Sequence, residues 1–351
     1  MLQLNEYLLV AALVFVVLSL ITYLVVLSAS RRAAPTRRPA MVGAGARGAG
    51  VHRGMGDGDA GDGDAGPVGT VPTGPMGAAD GDAASTYSVG LAEMAELDDE
   101  PVRTARPVRT VPKKIAAPLN VSTLATGFSV VALVLLTAYL GVRIGLTGHG
   151  PFSNQHEFAV SFVWGIMLAF VVALWRFKIR MLALGVLPVA ACLLGYATQT
   201  DAGVEPLVPA LQNNLLLTLH VGFAILSYGA ACVSFGAAII YLVHPKTRVK
   251  TPRDRFDEIG YKGAIVAFPL MTVMILLGSL WANVAWGRYW GWDPKETAAL
   301  VTWLLYGAFL HARVVRGWRG KKAAWLLIIG FAAVLFAYFG NYFFGGLHSY
   351  G

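Results

Sequence analysis

Apolar residues crowd into eight stretches of this chain and thin out across one long one. The runs lie at about 7–27, 124–144, 158–175, 181–198, 215–243, 263–281, 298–315 and 323–344. Each falls within, or slightly over, the roughly 20 residues a helix needs to cross a bilayer. They predict an all-α polytopic membrane protein of about eight transmembrane helices. Between the first two runs the chain changes character. From about 33 to 118 it is rich in Gly, Ala, Pro and Asp, and Gly56 to Asp64 is little but alternating Gly and Asp. So little apolar content cannot offset the entropy of ordering, which predicts a disordered linker. The expected division is an N-terminal transmembrane helix over 1–30, a linker over 31–118 and a seven-helix core over 119–351.

Composition agrees with a membrane protein. Of 351 residues, 56% are hydrophobic and 14% charged, and the mean hydropathy is +0.59. The net charge of +8 is not a nucleic-acid signal, because the basic residues gather at the ends of apolar runs. Arg31, Arg32, Arg37 and Arg38 follow the first run. Arg176, Lys178 and Arg180 follow the third. Six cations from Lys246 to Lys262 separate the fifth and sixth, and five from Arg313 to Lys322 separate the last two. The alternate loops carry only Arg143, Arg288 and Lys295. The positive-inside rule then makes the linker cytoplasmic and both termini external. The first run lacks a basic start and an obvious cleavage site, so a retained helix is expected. Cys192 and Cys232 form no CxxC, and two buried structural thiols are expected.

The chemistry concentrates between the sixth and seventh runs, on the external side. From Trp281 to Glu296 stand Trp281, Trp286, Trp290, Trp292 and Tyr289, with Arg288, Asp293 and Lys295. Asp293, Pro294 and Glu296 read as a helix start: a cap, a proline at the first position and a glutamate reaching back. The positive end of the following helix would then point at the aromatic patch. An interfacial aromatic belt explains rings at a membrane edge. A platform for a flat, anionic, aromatic ligand explains this density of rings together with the cations.

Of seven histidines, His52 lies in the linker, His149 and His156 read as surface residues, and His244 as an interface residue. His220 stands inside the fifth run, where an ionisable side chain is costly and faces the bundle interior. Asn213 and Ser227, seven residues to either side, fall near the same face. His348 stands on a glycine-hinged tail, and His311 toward the cytoplasmic end of the seventh run. Two histidines on the platform's side of the membrane point to axial ligation of a haem iron, with Arg288 and Lys295 for the propionates.

The stretch Trp286 to Thr297, the Leu219-His220-Val221 and Leu226-Ser227-Tyr228 segments, and the terminal Gly346 to Tyr350 resemble the tryptophan-rich WWD haem-handling superfamily, and its CcsA branch most closely. The resemblance covers about 119–351. It implies a System II cytochrome c synthase subunit, a haem lyase. By resemblance His220 and His348 ligate the iron of haem b beside Trp281, Trp286, Arg288, Tyr289, Trp290, Trp292, Asp293 and Lys295. His311 matches a histidine tied to an inner haem entry site. The implied activity joins haem vinyl groups to the cysteines of an apocytochrome c CxxCH motif, in complex with a separate ResB/CcsB-type membrane protein. Val284 and Ala298 depart from the acid and tryptophan many relatives carry. The expected location is a bacterial plasma membrane. A haem exporter or chaperone without ligation activity is the alternative. A solute transporter is a third reading, which broken helices or intramembrane carboxylates would favour; the core sequence shows no clear case of either.

Overall fold

A computed structural model describes residues 2–32, 121–204, 209–212, 214–244, 252–340 and 343–348. Residues 33–118 of the expected linker, Asn213 and Tyr350 lie outside them. The described residues form α1 (Leu2–Arg32), α2 (Val121–Thr147), α3 (Gln155–Phe177), α4 (Ala183–Ala197), α5 (Asn214–Val243), α6 (Pro252–Trp286), α7 (Pro294–Val315) and α8 (Lys321–Phe339), with short 3₁₀ turns before α4 and α5. No strand occurs among them. Among the described residues, eight helices are long and apolar enough to cross a membrane. The protein is a multi-pass membrane protein.

α1 and α2 form an antiparallel pair joined by repeating steps of three and four. Asn5, Leu9, Ala12, Val16, Ser19 and Tyr23 are buried on one; Ser122, Ala125, Ser129, Ala132, Leu136, Tyr139 and Arg143 on the other. Small residues let such helices approach closely, and hydroxyls then bridge them. The Ser19 hydroxyl donates to the Ala125 carbonyl at 2.9 Å, and Tyr23 Oη meets Thr126 Oγ1 at 2.8 Å.

α5 is the central helix and packs against α3, α4, α6 and α8. Gly229 faces Gly165 of α3, and Gly236 faces Gly185 of α4, so closely that a Cβ on any of them would strike the neighbouring helix. Seven residues separate the two α5 glycines, which puts both contacts on one stripe.

α6 starts well before its apolar run. Asp254 sits in its first turn, where an acid suits the helix N-terminus. Asp254, Asp257 and Glu258, which lie between the fifth and sixth apolar runs, are therefore helical and not in a loop. Asp257 takes Arg313 of α7 at 2.6 Å and the Gly320 N–H at 2.9 Å, tying three elements together. Cys232 is buried as expected. Cys192 is exposed, so the expectation of two buried thiols holds for one of them.

Candidate functional site

One end of the bundle holds a cavity of about 600 Å³, within the range of cofactor and ligand sites. Its walls come from α3, α5, α6, the start of α7, the end of α8 and the C-terminal tail. His220, Trp281, Tyr289, Trp290, Lys295 and His348 all line it. Residues 128 positions apart in sequence therefore meet here.

His220 is fixed inside the helix bundle. Its Nδ1 lies 2.8 Å from the Met274 carbonyl of α6. A carbonyl only accepts, so Nδ1 carries the hydrogen and Nε2 the lone pair. The imidazole lies parallel to Trp281, at 6.2 Å and 9°. Its other neighbour is Gly278, where a Cβ would come within 2.6 Å of the ring.

His348 reaches the same indole from the tail. It sits 5.6 Å from Trp281 and edge-on to Trp286 at 4.8 Å and 75°. With both imidazoles on Trp281, the two rings lie no more than about 12 Å apart, the limit set by centroid distances of 6.2 and 5.6 Å. His348 Nδ1 donates to Asp293 Oδ2 at 2.7 Å, which again leaves the lone pair on Nε2. A histidine ligand whose other N–H is held by a carboxylate or carbonyl is the usual arrangement at metal sites.

Asp293 does three jobs. It caps α7 by accepting from Lys295 N, with Glu296 completing the capping box. It orients His348. Its Oδ1 takes the Leu347 N–H at 2.6 Å. Gly346 permits this approach, since a Cβ there would collide with Asp293 Oδ1. Burial pushes the His348 imidazole below its ordinary value against the pull of Asp293, so the ring is neutral at pH 7. Burial raises the Asp293 carboxyl, but His348 and two backbone N–H groups outweigh it and hold it below the usual carboxylate range.

Lys295 turns into the cavity with its ammonium 4.9 Å over the Phe158 ring. No carboxylate forms an ion pair with it among the described residues. With the α7 N-terminus beside it, this wall favours an anion. The expected cluster is otherwise only partly assembled. Arg288 is exposed and folds over Gly291. Trp292 is 69% exposed and stands edge-on to Trp290 at 5.8 Å. Its φ of +55° is unusual for a bulky side chain. His311 is exposed, sixteen residues along α7 from Lys295 and so about 24 Å away at 1.5 Å per residue.

Sequence reasoning missed the polar network beside the cavity. Arg143, read as an external-side residue, is 1% exposed and ion-paired at 2.7 Å with Glu157, itself fully buried. A buried carboxylate therefore exists where none was expected. Arg143 also donates to the Ala202 and Gly203 carbonyls, fixing the loop whose Asp201 and Gly203 line the cavity. The signal was present: Arg143 continues the seven-residue stripe of Ser122, Ser129 and Leu136. His156 is buried too. Its Nδ1 donates to the Ala197 carbonyl, and its Nε2 accepts from Tyr139 at 2.6 Å. His149 is also buried, its Nδ1–H on the Gly150 carbonyl.

Fold and site together define a multi-pass helical membrane protein with a tryptophan-lined chamber and a histidine pair at one end. Residues 152–348, more than half of the chain, match the family described as Cytochrome C assembly protein. "Cytochrome c biogenesis protein CcsA" of Guillardia theta is 34% identical over 262 residues, covering 66% of this chain and 87% of that protein. The CcsA protein of Microcystis aeruginosa is 33% identical over 280 residues, covering 63% and 85%. Among solved structures, "Cytochrome c Heme Lyase CcmF" aligns with a TM-score of 0.47 and 20% identity, covering 62% of this chain and 40% of that one. That likeness is too slight to carry an assignment. The chain belongs to the cytochrome c assembly family and is of the CcsA type. Its role lies in cytochrome c maturation.

Proposed function

We propose that the chamber binds haem b through His220 and His348 and presents it for covalent attachment to apocytochrome c, as a cytochrome c synthase (haem lyase) subunit. One observation carries this reading: both imidazoles pack against Trp281, and each has its Nδ1 hydrogen-bonded to a protein oxygen, which makes Nε2 the basic nitrogen of each ring. The residues fit the substrate. Indoles suit the macrocycle faces, Gly278 admits the His220 imidazole, and Lys295 suits a propionate. The assignment of Arg288, Tyr289, Trp286, Trp290, Trp292 and Asp293 to the same site follows the family resemblance.

The chemistry asked of the site is modest and redox-neutral. Each client cysteine adds its S–H across a haem vinyl double bond. A C–S bond forms at the carbon next to the ring, and the hydrogen goes to the terminal carbon. The protein's contribution is then chiefly position. Holding two reactants in register contributes on the order of 7–11 kcal/mol.

The basic loops support an orientation with the chamber external, in a bacterial plasma membrane. Residues 31–118 would be a cytoplasmic linker between the first helix and the 119–351 core. A ResB/CcsB-type protein is the proposed partner, and His311 the proposed inner haem site.

Coexpression of this chain, the partner and an apocytochrome tests the reading. Covalent haem on the cytochrome, lost when His220 or His348 becomes Ala, is the expected result. Haem bound to this chain with no covalent product would favour the exporter or chaperone reading. No Soret band would favour a transporter.

A further inference from the structure

The chamber carries more polar lining than a haem can use. One wall, made by the start of α3 and the loop after α4, presents Ser153, Asn154, Gln155, Asp201 and Gly203. Its backbone is fixed from behind. The buried Glu157 carboxylate takes the Ser153 N–H at 2.8 Å and the Ser153 hydroxyl at 2.7 Å. Arg143, paired with Glu157, holds the Ala202 and Gly203 carbonyls at 2.8 and 2.7 Å. Asn154 is engaged too. Its Oδ1 takes the Glu157 N–H at 2.9 Å, and its Nδ2 reaches the Gly203 carbonyl at 3.4 Å.

Two groups on this wall are held but left open. The Tyr196 hydroxyl donates to Gln155 Oε1 at 3.0 Å, which fixes the carboxamide. The Nε2 donors of Gln155 have no acceptor among the described residues. Asp201 Oδ1 takes the Gly203 N–H at 2.8 Å, and Oδ2 has no donor among the described residues. An open donor and an open acceptor therefore line one wall. The polar groups of a haem are its propionates, and a carboxylate accepts without donating. A propionate suits Gln155 but not Asp201, which repels it. A polypeptide backbone suits both, because each residue brings one N–H and one C=O.

We infer, resting on the haem-attachment reading above, that this wall seats the client polypeptide: Asp201 accepts from a backbone N–H, and Gln155 donates to a backbone carbonyl, of the apocytochrome segment that carries CxxCH. Arg143 is a positioning residue here, since it touches neither haem nor client and acts by holding the loop that bears Asp201. The chamber then divides its duties. The indoles and Lys295 serve the haem, and the wall of α3 and the α4 loop serves the chain to be joined to it. Backbone contacts also match the motif. It leaves the two residues between its cysteines unspecified, and a hydrogen bond to the backbone asks nothing of their side chains.

The test uses the full chain loaded with haem and a fluorescent peptide in which serines replace the two cysteines of CxxCH, so that it binds without reacting. Asp201→Asn keeps an oxygen for the Gly203 N–H and turns the open acceptor into a donor. Gln155→Glu keeps an oxygen for Tyr196 and turns the open donor into an acceptor. Each is expected to raise the peptide's Kd about tenfold, the effect of losing one hydrogen bond, with haem affinity and the Soret maximum unchanged. Either variant decides the matter should the other fail to fold. Unchanged peptide affinity overturns the inference while leaving the haem site standing. If haem binds more tightly to Asp201→Asn and more weakly to Gln155→Glu, the wall serves propionates, and the inference is again overturned. Wild-type protein without a Soret band removes the haem reading and the inference with it.

Discussion

His220 shows how much one side chain depends on what is left out beside it. Its imidazole fits because position 278 has no side chain; a Cβ there would meet Cε1 at 2.6 Å and Nδ1 at 2.8 Å. Gly278→Val is therefore expected to weaken the Soret band as His220→Ala does. Gly145→Val, with nothing within 4 Å of its Cβ position, should leave the band intact. The tail has its own pH dependence. The His348 value is lowered, so below about 6.5 the unfolded chain takes up a proton that the docked ring resists, and stability falls as pH drops through that window. The Asp293 value is also lowered. Its contribution is full above about 3.9 and is lost as pH falls through the folded value. Both act in one direction. The protection of the Leu347 amide in haem-free protein, measured as its exchange rate relative to the intrinsic rate at each pH, is expected to fall as pH drops from about 6.5 toward about 4.

Helix ends were the most legible parts of the sequence. The Asp293–Pro294–Glu296 start of α7 is a capping box in the structure, because cap chemistry is local and needs no distant partner. The start of α6 was not legible, since a polar helical extension outside the membrane leaves no gap in hydropathy. The α2–α3 contact was missed for a related reason. Arg143 and Glu157 each look like interfacial charges until the two helices are brought together. Breaking a buried pair leaves one charge stranded, at about 3–5 kcal/mol. Arg143→Ala is thus expected to lower the melting temperature of the detergent-extracted protein well below that of an Arg143→Met, Glu157→Leu double variant. The Ala202 and Gly203 carbonyls lose their donor in both, so the double variant should recover only part of the loss.

Charge separates the two ends of the bundle. Arg176, Arg180, Lys262, Arg313 and Arg319 stand at the end opposite the chamber. Exposed cysteines introduced at 199 and 319, with Cys192 and Cys232 replaced, test which end faces out. A membrane-impermeant maleimide applied to whole spheroplasts is expected to label Gln199→Cys and spare Arg319→Cys; the reverse would invert the proposed orientation. Hydropathy and charge runs alone told of a helical membrane protein with eight spans and of which end should carry the aromatic segment, because the cost of polar groups in lipid is paid residue by residue. The histidine pair was nominated by the membrane side it shares with the aromatic segment and then by resemblance, and its meeting on Trp281 came from packing. So did the burial of His156, the Arg143–Glu157 pair, the turning of Lys295 inward and of Trp292 outward, and the tying of the tail to α7. Each of these depends on contacts between segments far apart in the chain, and a periodicity or a cap records only what neighbours in sequence require of one another.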